Sequence, residues 1–241
     1  MPNAYFDFKQ FRVAQDRCAM KVSTDACIQG AWLADVFRQK YPASILDIGA
    51  GTGLLSLMLA QALPQSRITA IEINEDACTQ AAKNVRNSPW SERVSVIQTA
   101  LQDFRPQATF DTIICNPPFF HNHLESQDQN RSLARHSHTL TKEVLAESIV
   151  RCLSREGEAG ILYPTTEWLA WADIAQQQGL YVQQQLLIRP HEGKAPNRVV
   201  GIMGHRPVTD IATTELCIYE KGSRAYTPAF ERLLSPYYLH L

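Results

Sequence analysis

The chain has 241 residues, 45% hydrophobic and 20% charged, with a formal net charge of −1. That length and balance suit a globular α/β protein with a sizeable buried core, and they exclude overall charge as a means of holding nucleic acid, so any such partner needs a local basic patch. Six cysteines (18, 27, 78, 115, 152 and 217) contain no C-x-x-C pair, which argues against a zinc site or a disulfide framework and suits a reducing cytoplasm. No apolar run approaches the roughly 20 residues a membrane span needs. The start, MPNAYFDFKQFRVAQD, has early charges and no apolar h-region. The expectation is a cytoplasmic protein with no membrane partner.

Strand-like and helix-like segments alternate along the chain. ASILDIGA (43–50) reads as a strand ending in glycine, and LLSLMLAQAL (54–63) follows with helical spacing. SRITAIEIN (66–74) predicts a second strand and EDACTQAAKNVRNS (75–88) a helix. RVSVIQTAL (93–101) and FDTIICN (110–116) supply the third and fourth strands. TKEVLAESIVRCLSREG (141–157) predicts a helix stopped by Gly157, and GEAGILYP (157–164) a fifth strand. WLAWADIAQQQG (168–179) is helical, and YVQQQLLIRP with NRVVGIMGH forms a closing antiparallel pair. Such alternation with short links implies a mostly parallel sheet covered by helices on both faces. With no repeat, low-complexity tract or linker, one domain over 1–241 is expected.

LDIGAGTG (46–53) sits where the first core strand turns into a helix. Gly49, Gly51 and Gly53 allow a tight turn, close approach of a ligand to the main chain, and close helix packing. The pattern is G-x-G-x-G and carries no Lys-Ser/Thr of a phosphate-binding loop. Glu72, at the end of the second strand, is placed to accept both hydroxyls of a ribose. The other reading of Glu72 is a solvated strand-end acid beside a structural turn. Asp47 favours a cationic sulfonium ligand and repels a pyrophosphate, which points to S-adenosyl-L-methionine rather than a dinucleotide. At the fourth strand the chain reads IICNPPFF (113–120), in which Pro117 and Pro118 end the strand and stiffen the turn beyond it.

With these two motifs the chain resembles the seven-stranded Rossmann-like S-adenosylmethionine-dependent methyltransferases, and N-P-P-F resembles the signature of their amino-methylating branch. The resemblance implies an α/β fold with a seven-stranded, mostly parallel sheet, helices on both faces and a C-terminal antiparallel hairpin. An exocyclic amine is a poor nucleophile because its lone pair is delocalised. The side-chain oxygen of Asn116 and the carbonyl of Pro117 each accept an N–H from that amine, hold it, and favour its pyramidal, attacking form. Pro118 stiffens the turn, Phe119 stacks on the target ring, and Phe120 lines the wall. Asn116 also borders the cofactor. Many family members place an Asp at the end of the third strand for the cofactor's adenine. Here Ala100 and Leu101 stand there, so an apolar adenine pocket is expected, with Asp103 as a substitute.

The flanks narrow the likeness. FRVAQDRCAMKVSTDACIQGAWL (11–33), NPPFF, LARHSHTLT (133–141) and YTPAFERLLSPYYLHL (226–241) resemble the bacterial tRNA (adenine-N6)-methyltransferases that modify the adenosine 3′ of the valine tRNA anticodon, position 37. The likeness runs almost the whole length. It implies that residues 1–42 cap the cofactor over a core of 43–241. Lys21, Thr24 and Asp25 then border the methionine end, with Gln15 and Arg17 near the mouth. The other reading of S-T-D is a helix cap for IQGAWL.

A tRNA partner needs a local basic surface. Arg189, Lys194 and Arg198, and Arg131 with Arg135 after N-P-P-F, are the candidate RNA contacts, against the alternative of solvated loop charges. His121, His123, His136 and His138 have no acidic or cysteine partner at ligand spacing, so no metal is expected. A monomer is expected. The alternatives are an N-methyltransferase acting on another amine (rRNA guanine N2, DNA adenine N6 or protein glutamine N5) and a non-catalytic RNA-binding protein. The glutamine enzymes need an N-terminal helical domain, and the DNA and rRNA enzymes differ in their flanks. The non-catalytic protein would not bind the cofactor.

Overall fold

The computed structural model describes residues 4–18, 20–117 and 140–241. A short hairpin, β1 (Tyr5–Asp7) and β2 (Arg12–Ala14), leads into helix α1 (Thr24–Arg38). The core then alternates through β3 (Ser44–Ile48), α2 (Leu54–Ala62), β4 (Arg67–Glu72), α3 (Glu75–Arg86), β5 (Val94–Gln98) and β6 (Phe110–Cys115). Beyond it come α4 (Lys142–Cys152), β7 (Leu153–Pro164), α5 (Thr165–Gln177), β8 (Tyr181–His191), β9 (Arg198–Gly204), β10 (Ala212–Tyr219) and α6 (Pro228–Leu234).

Local chemistry explains the boundaries. Asn74 caps α3 by accepting the Ala77 N–H at 2.9 Å, with Glu75 and Asp76 in the first turn and Lys83 and Arg86 in the last, as the helix dipole favours. Thr227 caps α6 ahead of Pro228, a residue whose missing N–H costs nothing at the first helical position. The central strands are short runs rich in isoleucine and buried on both faces, as parallel strands under two helical layers must be.

The main sheet has eight strands in the order β10-β8-β9-β7-β6-β3-β4-β5. Every neighbouring pair is parallel except those of β9, which runs antiparallel to both β7 and β8. The expected seven strands are therefore corrected to eight. The β8–β9 hairpin is present, and β10 adds beyond it, parallel to β8. Its sequence, ATTELCIY, buries only Leu216 and Ile218, an edge pattern too weak to stand out as a strand.

The helix predicted over 141–157 is also corrected. It ends at Cys152, and Leu153 is already extended (φ −84°, ψ 135°) as the start of β7. Gly157 is no helix stop. A Cβ there would lie 2.8 Å from the Leu153 and Ser154 side chains and 3.0 Å from the Asp111 carbonyl, so glycine serves an irregular stretch of the β6–β7 pairing.

One face of the sheet is covered by α1, α2 and α6, whose core includes Phe37, Leu57, Met58 and Phe230, and the other by α4 and α5 around Ile149 and Trp171. Each fully buried side chain of this size contributes about 1.5–3 kcal/mol. The two flanks meet: Lys9 N–H donates to the Tyr237 carbonyl at 2.8 Å, and the Phe6 and Tyr238 rings lie tilted with centroids 5.7 Å apart. No helix among the described residues is long and apolar enough to cross a membrane.

Gly201 of β9 lies under the Trp168 indole, and a Cβ there would come within 1.9 Å of the ring. Trp168 is itself tied by its indole N–H to Gln185 Oε1 at 3.2 Å. Gly201→Ala is expected to destabilise the fold by about 1–3 kcal/mol through overpacking. Urea denaturation checks this, and an unchanged midpoint would show that the indole has room to move.

Candidate functional site at the β3–β6 switch point

Strand order reverses between β3 and β6: successive strands β4 and β5 extend one way, while β7 extends the other. Open α/β sheets bind ligands at the carboxyl ends of the strands flanking such a reversal. Residues from both expected motifs end here. Asp47 of β3 pairs in register with Ile114, and Ile48 with Cys115, the last residue before Asn116.

Gly49, Gly51 and Gly53 all have positive φ (69°, 56° and 79°), so each needs glycine for its backbone. A Cβ at Gly49 or Gly51 would meet nothing within 4 Å, leaving open space for a ligand against the main chain. Gly53 is different from expectation. A Cβ there would reach the Ala81 Cβ at 3.5 Å, an ordinary contact, so its left-handed geometry at the N-cap of α2 requires glycine and close packing does not.

Asp47 is 1% exposed. Its Oδ2 accepts from the Ser56 N–H at 3.1 Å and the Ser56 hydroxyl at 2.6 Å, supplying the cap that Gly53 has no side chain to give α2. Its Oδ1 is buried without a partner among the described residues. Burial pushes the Asp47 carboxyl up to about 6, with the Ser56 bonds opposing the shift and nearby Glu72 adding to it. A buried carboxylate oxygen without a donor is a position that a cation satisfies. Glu72 is held by two main-chain amides, Gly51 N–H to Oε2 at 2.8 Å and Asn74 N–H to Oε1 at 2.9 Å. An ionised carboxylate has about four acceptor sites, so about two remain beyond these amides.

Beside the glycine loop, Ile48, Gly49, Ile71, Ile73, Thr99, Leu101, Gln102 and Leu140 line a concavity of about 60 Å³. Its walls are mainly aliphatic, and Leu101 is among them. Ala100 is buried next to it, and its carbonyl accepts the N–H of Asp103, whose side chain is exposed. Gln102 and Thr99 are the polar groups of this wall.

Asn116 lies just past the end of β6, and its Oδ1 is buried with no partner among the described residues. It lies two residues past Ile114, the register partner of Asp47, and residues two apart in extended chain share a face. Both oxygens, unpartnered among the described residues, thus lie at the carboxyl ends of the paired strands β3 and β6. Pro117 is buried. Pro118, Phe119, Phe120, Arg131, Arg135 and the four histidines from 121 to 138 lie outside the described residues, so their expected roles are not placed here.

The N-terminal segment arrives over α3. Ser23, not Thr24, is the N-cap of α1, accepting from Ala26 N–H at 3.2 Å, so the cap reading of S-T-D holds for that residue. Asp25 pairs with Arg198 at 2.9 Å, Thr24 is half-buried and Lys21 is exposed. Gln15 is buried and accepts from Val22 N–H at 2.8 Å, and Arg17 N–H donates to Gln80 Oε1 at 2.7 Å. Two α3 residues that sequence reading missed hold this segment down. Asn84 exchanges two 2.9 Å bonds with the main chain of Ala14 and donates a third to the Thr52 carbonyl in the glycine loop. Gln80 receives Arg17 and donates to Asp16 at 3.2 Å. Their signal was two amides four apart on an otherwise alanine-rich helix face.

The basic residues share the same edge of the sheet. Arg189 of β8 pairs with Glu215, and Arg198 opens β9 opposite Pro164 with Asp25 as its partner. Lys194 is exposed in the β8–β9 turn and forms no ion pair among the described residues. All six cysteines are free thiols, and the described residues hold no group of three or more potential metal ligands.

Residues 26–147 match the family described as the methyltransferase small domain. A protein from Dyadobacter fermentans called tRNA1(Val) (adenine(37)-N6)-methyltransferase is 42% identical over 98% of each chain. One of the same name from Bacteroides thetaiotaomicron is 38% identical over the full length of both. A solved structure of a predicted O-methyltransferase from Agrobacterium tumefaciens aligns with a TM-score of 0.63, covering 88% of this chain and 96% of its own at 20% identity, a likeness of fold alone. With a methyltransferase fold, a glycine loop beside two acidic residues and full-length relatives at this identity, the chain belongs to the tRNA1(Val) (adenine(37)-N6)-methyltransferase family.

Proposed function

We propose that this protein transfers a methyl group from S-adenosyl-L-methionine to the exocyclic N6 of an adenosine in tRNA, position 37 of tRNA(Val). The observation that carries the reading is the pair of buried acceptors without a partner among the described residues, Asp47 Oδ1 and Asn116 Oδ1, at the ends of the paired strands of the switch point. One satisfies a cation and the other an N–H donor, the two groups that meet in methyl transfer to an amine.

The residues present fit the cofactor. Gly49 and Gly51 leave room along the main chain, Glu72 receives the ribose, and the wall of Ile48, Ile71, Ile73 and Leu101 takes the adenine. S-adenosylmethionine supplies an electrophilic methyl group on a sulfonium. Asp47 offers its free carboxylate oxygen to the positive end of that ligand while its other oxygen stays on Ser56. Lys21 and Thr24 border the same end. Asn116 Oδ1 and the Pro117 carbonyl accept the two N–H groups of the substrate amine and turn its lone pair toward the methyl. The reading gives Pro118, whose ring fixes its backbone, the task of stiffening the chain after Pro117, and Phe119 that of stacking on the extruded base. Orientation is the main lever here, worth up to about 7–11 kcal/mol in ideal intramolecular cases. The proton leaves after the nitrogen has become cationic, so neither a dedicated base nor a metal is needed.

Arg189, Lys194, Arg198, Arg131 and Arg135 position the tRNA. The ion pairs of Arg189 and Arg198 divide this set, leaving Lys194 as its one freely exposed charge among the described residues. The reading takes the protein as a monomer. The proposal further takes 1–241 as one catalytic domain acting in the cytoplasm. Mass spectrometry of nucleosides from bulk tRNA, incubated with the protein and a labelled methyl donor, tests the activity. Labelled N6-methyladenosine is expected, and label only on another base or on protein would refute it.

Asn116→Ala removes one of two amine acceptors and leaves the cofactor pocket intact. A fall in turnover on the order of 10²-fold is expected, with donor affinity near wild type. Turnover near wild type would end the assigned role.

Asp47 makes donor binding pH-dependent. The sulfonium favours the ionised carboxylate, and the free protein's Asp47 ionises near pH 6, so affinity falls as pH drops through that value. Calorimetry is expected to show about tenfold weaker binding at pH 5 than at pH 7, and Asp47→Asn to flatten the profile. The stability sign is opposite. Because the native carboxyl holds its proton above the ordinary aspartate value of 3.8, the stability it contributes is present below that pH and is lost as pH rises toward 6.

Neutralising Lys194 is expected to flatten the slope of log tRNA affinity against log salt by about 0.7–0.9, as loss of one phosphate contact requires. Donor affinity should not change. An unchanged slope would place the RNA elsewhere on the protein.

A further inference from the structure

Gln29 is an amide where the fold calls for an apolar side chain. It lies on α1 among Cys27, Ile28, Ala31, Leu33 and Ala34, and it is 0% exposed. Burying an amide without bonding it is costly, so its bonds indicate its use. Its Nε2 donates to the Cys115 carbonyl at 2.8 Å and reaches the Gly160 carbonyl at 3.5 Å, bridging the end of β6 and the neighbouring stretch of β7. Its Oε1 is buried without a partner among the described residues, as are Asp47 Oδ1 and Asn116 Oδ1 at the switch point.

The approach is built into the backbone. A Cβ at Gly160 would stand 2.5 Å from both Leu33 methyls, so glycine at this point of β7 lets α1 lie directly on the sheet. The ion pair of Asp25 with Arg198 anchors the first turn of the same helix at the same edge. Gln29 is thereby held over the two strands while its amide faces two carbonyls.

The carbonyl it grips belongs to the peptide that joins Cys115 to Asn116. That unit is planar, so holding its oxygen also fixes the nitrogen from which Asn116 begins. Cys115 is the last residue of β6, in register with Ile48 on one side and Ile161 on the other, so Gln29 adds a side-chain donor at the point where the strand gives way to Asn116.

We infer that Gln29 is a positioning residue for methyl transfer, orienting Asn116 through the Cys115–Asn116 peptide and linking the N-terminal helix to the amine-binding turn. The inference rests on the role proposed above for Asn116.

Three variants test it in single-turnover assays with the same tRNA pool and a labelled methyl donor. Gln29→Met keeps the length and loses the donor. Turnover is expected to fall on the order of 10²-fold, as a small misplacement of a reacting group does, with donor affinity within about twofold of wild type. The same substitution in an Asn116→Ala background should cost less than about threefold, because a residue acting through another has nothing left to position. An equal loss in both backgrounds overturns the inference, as does wild-type turnover in Gln29→Met. An active Asn116→Ala enzyme would instead overturn the Asn116 reading, and this inference with it. Gln29→Glu covers the case in which Met does not fold. A buried neutral carboxyl donates to the Cys115 carbonyl, whereas the ionised form repels it, so this variant should be active at low pH and lose turnover as pH rises, while circular dichroism stays native. A wild-type pH profile in Gln29→Glu overturns the inference.

Discussion

Asp47 carries two obligations at one carboxylate. One oxygen closes the first turn of α2 through Ser56, where the left-handed Gly53 has no side chain to serve as a cap. The other oxygen is buried and unbonded among the described residues, beside the turn that the glycines open. The glycine loop exists in this form because the strand supplies the cap, and the site is electrostatically poised because the strand supplies only half of its carboxylate to that task. Removing the capping function would disturb the loop geometry, while the free oxygen is spared that task.

The same economy recurs around the switch point. Glu72 takes two main-chain amides, from Gly51 and Asn74, and keeps acceptor capacity for a ligand. Asn84 uses its whole amide to hold Ala14 and Thr52 together, so the N-terminal segment and the glycine loop share one fastening. Gln29 does the equivalent on the other side, between α1 and strands β6 and β7. Buried amides bonded in two directions are costly unless satisfied, and when satisfied they specify one arrangement of the elements they join.

The surface electrostatics obey a different logic. Along the chain, Arg189, Lys194 and Arg198 form a basic run. In space, Glu215 and Asp25 face two of the three from other elements. Arg198 thus serves the docking of α1 as well as the rim of the site. Such exposed or half-exposed pairs contribute little to stability, and their partners weaken the field that a phosphate would feel.

Much of this protein was legible in order and spacing. Strand–helix alternation gave the parallel sheet, and the spacing of the glycines, Asp47 and Glu72 marked the left-handed loop and the two acids that lie beside it. Asn116 with its prolines marked the end of β6. These features are local: a left-handed turn, a strand stop and an acid at a strand end depend on residues a few positions apart. The strand count, the end of α4 and the purpose of Gly157 and Gly53 were decided only by tertiary structure, because an edge strand such as β10 and a glycine under a neighbouring side chain are defined by what packs on them. The amides of Gln29, Gln80 and Asn84 were equally hidden. Their partners are main-chain or side-chain groups of segments distant in sequence, most of them backbone carbonyls and amides that every residue possesses, and only the fold says which of those lies within reach.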